Sequence, residues 1–246
     1  MIYEEKCGII LVVNSVGGKA LNRYELKFYI SKSTAASLKS VLGSLFEKDS
    51  HSGENGAYYI SSTYFDDAEV SSYHEKNAGN DYRHRWRIRS YNGSDDYICL
   101  ERKAKKGDTS VKSGTVIPSE IAIEIMLNGV KGLPLPQENE LLSEFFAEHS
   151  SKALRPVVTV DYKRTAFMPH LSDVRITVDE NISVCRYRKP FDRNTAKLLL
   201  PDERCSILEV KYTAAMPEMI KSILARYPMD RCSISKYVMS LEPFIE

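Results

Sequence analysis

Between Asp81 and Tyr91 the chain reads DYRHRWRIRSY, with arginine at every second position: Arg83, Arg85, Arg87 and Arg89. Successive side chains of a strand point to opposite faces, so this segment gathers its guanidinium groups on one side and Tyr82, His84, Trp86 and Ile88 on the other. Guanidinium is a planar, permanently charged fork suited to phosphate oxygens, and lysine adds a compact charge. The same alternation recurs. In RYELKFYI, Arg23, Glu25 and Lys27 oppose Tyr24, Leu26, Phe28 and Ile30; in YICLERK, Glu101 and Lys103 oppose Ile98 and Leu100. In VRITVD, Arg175, Thr177 and Asp179 oppose Val174, Ile176 and Val178; in ILEVKY, Glu209 and Lys211 oppose Leu208, Val210 and Tyr212.

Periodicity leaves two arrangements open. Each segment read alone is an amphipathic strand with a solvated charged face, and the Glu101/Lys103 and Glu209/Lys211 pairs then simply neutralise neighbours. Alternatively the charged faces converge inside a closed barrel. Desolvating so many cations costs several kcal/mol each unless they are paired. A tunnel of this kind implies a polyanionic guest, interior water, or both.

The elements that would carry these faces can be placed along the chain. Ser31 is a candidate N-cap for a helix whose stripe is Leu38, Val41, Leu42, Leu45 and Phe46. The strand AYYISSTYFDD ends in a carboxylate pair that could cap a short helix at 67–77. Strands at 82–91 and 95–104 flank Asn92-Gly93, a hairpin signal. AKKGDTSVKSG reads as a basic, mobile connection. Two helices follow, one with Ile121, Ile125 and Met126 ending at Gly129, the other with Leu141, Leu142, Phe145 and Phe146. Strands resume at 156–168, 173–180 and 205–212, with a less regular stretch at 182–188. Pro217 opens a helix to about 227, and SISKYVMSLEPF reads as strand, helix or both.

Composition narrows the class. With 246 residues, of which 43% are hydrophobic, the chain can bury a substantial core in one domain. Basic residues (34) and acidic residues (33) nearly balance, which argues against nucleic-acid binding. The longest apolar run, GIILVV at 8–13, is far short of the roughly 18 to 20 residues of a membrane span. It reads as a strand or as part of an N-terminal extension over 1–22. Five cysteines, odd in number and without close pairs, argue against a disulfide framework or zinc site and for a cytoplasmic protein.

RYELKFYI, STYFDD, RWRIRSY, LERK, the downstream SVK, YKRTAF, VRITVD, LEVKY and SISKY, in order over residues 23 to 240, resemble the VTC domain. That domain is the polyphosphate polymerase of the vacuolar transporter chaperone complex, a member of the triphosphate tunnel metalloenzymes beside the CYTH-type triphosphatases. The resemblance implies an α+β fold over 23–246: a closed antiparallel β-barrel of about eight strands forming a cationic tunnel, with helices packed around the outside. It implies that Lys27, Arg87, Arg89, Lys103, Lys112, Arg164, Arg175 and Lys236 grip phosphates. Glu209, with Glu25 or Glu101, would bind Mn²⁺ or Mg²⁺, and Lys211 would share the tunnel. Lys27, Arg87, Arg89, Glu209 and Lys211 form the implied catalytic set.

Some residues depart from the pattern or stand outside it. Arg164 shares its parity with Val158, Val160 and Tyr162, so a bulge would be needed to re-aim it. Arg83 and Arg85 share the tunnel parity and fall either at its mouth or against acidic groups. Arg23 stands where the CYTH branch has the first glutamate of Glu-x-Glu-x-Lys. Polymerases often carry a lysine at the position of Ser233, for which Arg231 is the nearby substitute. The implied function is metal-dependent transfer of the γ-phosphate of ATP to polyphosphate. The alternatives are hydrolysis of triphosphate or nucleoside triphosphate, and polyphosphate binding without turnover. Export of a product would require a separate membrane protein.

Overall fold

The computed structural model describes residues 23–48, 56–107, 109–169, 173–186, 195, 197–199, 205–213, 215–233 and 235–245. The N-terminal run 8–13 and the extension 1–22 lie outside the described residues. The elements are β1 (Arg23–Ser31), α1 (Lys32–Leu45), β2 (Glu47–Lys48), β3 (Tyr58–Asp66), α2 (Ser71–Asn77), β4 (Tyr82–Tyr91), β5 (Ile98–Lys106) and β6 (Thr109–Ile117). They continue with α3 (Ser119–Asn128), α4 (Glu140–Lys152), β7 (Arg155–Met168), β8 (Arg175–Cys185), β9 (Leu198–Leu199), β10 (Cys205–Thr213), α5 (Glu218–Leu224), β11 (Asp230–Arg231) and α6 (Lys236–Leu241).

Local chemistry accounts for several boundaries. Ser31 Oγ accepts the amide of Thr34 at 3.0 Å, and Leu38 and Leu42, one turn apart, bury completely to hold α1 on the sheet. Asp67 Oδ1 accepts the amide of Ser71 at 2.9 Å and Asp66 Oδ1 that of Ser72 at 3.2 Å. The carboxylate pair thus serves the first turn of α2 from outside the N-cap position. Asn92 and Gly93 both take positive φ, and Ser94 N–H closes the turn on Tyr91 C=O at 3.0 Å. Gly129 ends α3 at φ 77°, where a Cβ would lie 2.7 Å from the His149 ring of α4.

All paired strands are antiparallel in one sheet, ordered β11-β1-β10-β8-β7-β3-β4-β5-β6, with β2 on β7 and β9 on β8. The hydrogen-bonded path has two ends, so the expected closed barrel is corrected to an open sheet. Part of β1's outer edge is occupied by β11, which pairs with Phe28 and Tyr29, and β6 does not join it. The sheet is nonetheless sharply curled. Lys103 on β5 comes within 4.0 Å of Glu25 on β1, although β10, β8, β7, β3 and β4 lie between them in the strand order.

Residues directly opposite in an antiparallel pair share a face, which identifies the concave side. One row runs Lys27, Glu209, Thr177; another runs Tyr58, Arg164, Asp179, Ile207, Tyr29; a third runs Tyr64, Arg87, Glu101, Gly114. The convex side is apolar in two halves. Leu208, Val210, Ile176 and Val178 pack under α1 and α5; Trp86, Ile88, Ile98 and Leu100 pack under α3 and α4.

Three expectations are corrected. AKKGDTSVKSG is not a connection: β6 begins at Thr109 and pairs with β5 along its whole length. Arg164 needs no bulge, because Val158, Val160 and Tyr162 lie on the concave face with it. They are covered by α6, through Tyr237 and Leu241, so one helix packs inside rather than outside. The bulge is in β8 instead: register shifts between Asp161 and Lys163, opposite Asn181 at φ 53°. That extra residue lets both Asp179 and Ile182 face inward. Cys99 is disulfide-bonded, whereas Cys185 and Cys232 are free.

Asn181 tests this register switch. Asn181→Gly should be tolerated, whereas the β-branched Asn181→Val should lower stability by about 1–2 kcal/mol in urea unfolding, since left-handed backbone is disfavoured for such residues. Equal stability of the two variants would contradict a role for this conformation.

Candidate functional site on the concave face

Three carboxylates organise most of the charge. Glu101 Oε2 accepts from Arg87 Nε at 2.6 Å, its Oε1 lies 2.5 Å from Lys112 Nζ, and Arg89 stands 3.7 Å away. Arg87 also donates to Tyr64 Oη at 3.1 Å, and Arg89 to Ser62 Oγ at 3.0 Å. Asp179 takes both arms of Arg164, at 2.6 and 2.7 Å, and Lys236 Nζ at 2.6 Å. Lys236 and Arg164 flank the Tyr162 ring, 4.9 and 5.3 Å from its centre. Glu209 pairs with Lys211 at 2.6 Å and approaches Arg164 at 3.9 Å. Glu25 pairs with Lys27 at 2.7 Å. Arg175, opposite Lys211, donates to Tyr58 Oη at 3.2 Å.

Burial alone would push these carboxyls up, but neighbouring cations outweigh it. Arg87, Arg89 and Lys112 hold Glu101 far below the ordinary range; Arg164 and Lys236 hold Asp179 low; Lys211 and Lys27 do the same for Glu209. The lysines show the complementary effect. Burial and the adjacent Lys27 and Lys211 bring Lys103 down to about 8 against the pull of Glu25. Burial with Arg89 and Arg87 brings Lys112 down to about 8 against Glu101. Tyr64 resists ionisation through burial, yet Arg87, Arg89 and Arg85 lower it to about 8.

The structure brings together Lys27, Arg87, Arg89, Lys103, Lys112, Arg164, Arg175, Lys211 and Lys236. Among the described residues these cations face four carboxylates, Glu25, Glu101, Asp179 and Glu209. Sequence reasoning gave no role to Asp179 or Tyr64. Asp179's parity in VRITVD was the available signal; Tyr64 carried none, because nothing in YYISSTYFD sets it apart from Tyr58 and Tyr59. Arg231 is exposed and sits opposite the convex residue Phe28, so it does not stand in for a cation at Ser233.

A divalent cation needs oxygen donors, and Mg²⁺ commonly takes only one or two protein carboxylates with water. Glu25 and Glu209 lie on paired strands; burial and Glu209 push Glu25 up, but Lys103, Lys211 and Lys27 outweigh them and hold it low. Each has an oxygen engaged by lysine. The pair fits such a donor set. Both oxygens of Glu101 are engaged by Arg87 and Lys112. Among the described residues no group of three or more His, Cys, Asp or Glu side chains is arranged to hold a metal.

The profile of the VTC domain matches residues 22–245. The chain belongs to the VTC domain family. Membership ties it to polyphosphate and triphosphate chemistry, carried out in this family by enzymes that are generally metal-dependent. Three solved structures are similar at low identity. A "putative adenylate cyclase" from Bacillus halodurans is 13% identical, covers 82% of this chain and 85% of its own, and superposes with a TM-score of 0.48. Proteins from Pyrococcus horikoshii and Pyrococcus furiosus are 12% and 11% identical, with TM-scores of 0.42 and 0.41; each covers 83% of this chain and 87% of its own. Among the described residues of this VTC domain no helix is long and apolar enough to cross a membrane.

Two measurements test the electrostatics. Ultraviolet titration of the free protein should show one tyrosine ionising near pH 8, and Arg87→Gln should move that step upward toward the ordinary tyrosine range. A step unmoved by Arg87→Gln contradicts the assignment to Tyr64. Asp179→Asn removes the buried charge that Arg164 and Lys236 share and should destabilise by about 3–5 kcal/mol in urea unfolding. The depressed carboxyls Asp179 and Glu101 contribute stability above the ordinary carboxyl range, and it is lost as pH falls through their lower folded values.

Proposed function

We propose that this VTC domain is a metal-dependent polyphosphate polymerase, which transfers the γ-phosphate of ATP to the end of a growing phosphate chain and releases ADP. The observation that carries this reading is the clustering of cations pre-oriented by carboxylates on a face curled tightly enough for Lys103 to approach Glu25. Family membership supports the substrate class.

Phosphoryl transfer needs little covalent help from protein. It needs the nucleophile and leaving group in line and the charge on the transferred group neutralised. A terminal oxygen of the acceptor chain attacks the γ-phosphorus, the bond to the β,γ-bridging oxygen breaks, and ADP leaves with the electron pair. Arg87 and Arg89 are fixed in direction by Glu101 and Ser62 and clamp oxygens of the transferred group. Lys27 and Lys211 offset charge at the same centre. Lys103, Lys112, Arg164, Arg175 and Lys236 hold the neighbouring phosphates of nucleotide and chain. Glu25 and Glu209 would hold Mn²⁺ or Mg²⁺, whose charge helps neutralise phosphate oxygens. Glu101 acts by positioning Arg87 and Lys112. Supply of ATP makes the cytoplasm the setting this activity would require.

Incubation with ATP and Mn²⁺, followed by separation of products, tests the reading. Phosphate chains with ADP are expected; orthophosphate or pyrophosphate alone would instead make the protein a hydrolase, and tight polyphosphate binding without turnover a binding module. Glu209→Gln should lower turnover by at least about tenfold, the scale of one lost charge-assisted contact, and full activity in that variant contradicts its role at the metal. Affinity of the free protein for tripolyphosphate should fall as pH rises through about 8, because Lys103 and Lys112 lose their protons there. Calorimetry across that range reads the effect.

A further inference from the structure

Arg83 and Arg85 are the concave-face arginines that the proposed chemistry does not use. Arg85 donates to Ser235 Oγ at 2.9 Å and lies 5.3 Å from the centre of the Tyr237 ring, so α6 fixes its head group. Arg83 donates to the carbonyl of Asn80 and sits directly opposite Lys105. Lys76 on α2 completes the group. Among the described residues, no carboxylate lies in ion-pairing range of Lys76, Arg83, Arg85 or Lys105. This contrasts with the central cations, most of which are held against Glu25, Glu101, Asp179 or Glu209.

The four are neighbours. Lys76 is lowered by burial and then by Arg83, Arg85, Lys105 and Lys27 in turn. Arg85 is likewise lowered, by burial first and with Arg87 and Arg83 adding to it. Beside them a cleft of about 230 Å³ opens between α2 and α6, lined by Tyr29, Lys76, Asn77, Ser233, Ser235 and Glu242 among others. Four cations packed together repel one another, and a protein without a guest for them would gain by placing an acid among them. The cleft provides room and hydroxyl groups at Ser233 and Ser235 beside Lys76; Glu242 also lines it, without an ion pair to Lys76.

We infer that Lys76, Arg83, Arg85 and Lys105 form a second anion subsite at the mouth between α2 and α6. It engages phosphates of a linear polyphosphate that extend beyond the central carboxylate-braced cluster. This inference rests on the polyphosphate reading above and adds to it a basis for chain-length preference. A triphosphate fills the central cluster alone. A longer chain reaches Arg85 and Lys76 as well, and so binds more tightly than its extra charge in bulk solution would give.

Calorimetric titration with tripolyphosphate and with long-chain polyphosphate tests this, on the wild type, Lys76→Ala and Arg85→Gln. Each substitution should weaken long-chain binding by about tenfold, the scale of one charge-assisted phosphate contact, and leave tripolyphosphate affinity within a factor of about two. Lys76→Ala makes the test robust, since its side chain braces no other residue. Parallel weakening of both ligands, or no change in either, overturns the inference. Wild-type protein that makes chains from ATP yet binds long chains no more tightly than tripolyphosphate overturns the mouth alone. Failure to bind tripolyphosphate at all removes the reading of the central cluster too.

Discussion

Like charges gathered on one concave face repel, and the rest of this molecule is arranged around containing that repulsion. Glu101 and Asp179 each brace two or more cations at hydrogen-bond distance, in positions nearly closed to water. Such pairs contribute little net stability, because desolvation opposes the attraction. What they supply is direction: the guanidinium planes of Arg87 and Arg164 are fixed before any anion arrives. Preorganised dipoles and charges need no rearrangement when charge develops on a substrate.

The apolar architecture follows from the same constraint. Because the charged rows point inward, the core lies on the convex side, divided between α1 with α5 and α3 with α4. On the concave side an apolar patch around Val158, Val160 and Tyr162 is covered by α6. Tyr237 ties that helix down through a hydrogen bond to Asp66, which also receives the first turn of α2. Through Lys236 the same helix delivers a cation to Asp179. The carboxyl-terminal segment is thus part of the wall of the site.

Much of this was legible from period-two patterning, because it reports which residues share a face whatever the sheet does next. Glu209 and Lys211, or Arg87 and Arg89, could be grouped without coordinates. Three things were not legible. Strand β6 is mostly polar, with Val111 and Ile117 far apart on its convex face, so its hydrogen bonding to β5 left little hydrophobic signature. The inward turn of Val158 and Val160 looked like a break in the pattern, since alternation cannot distinguish a face covered by a helix from one covered by solvent. The bulge at Asn181 depends on a single backbone conformation, for which asparagine is only a weak signal.

Between β1 and β5 the enclosure is bridged by side chains, with Lys103 and Glu25 4.0 Å apart, whereas neighbouring strands elsewhere are stitched by backbone. A stitched wall widens only by breaking several peptide hydrogen bonds together. A seam spanned by two long flexible side chains, both partly exposed, yields for less than about 1 kcal/mol. The enclosure is accordingly softest along this one line and stiffest where its strands are hydrogen-bonded.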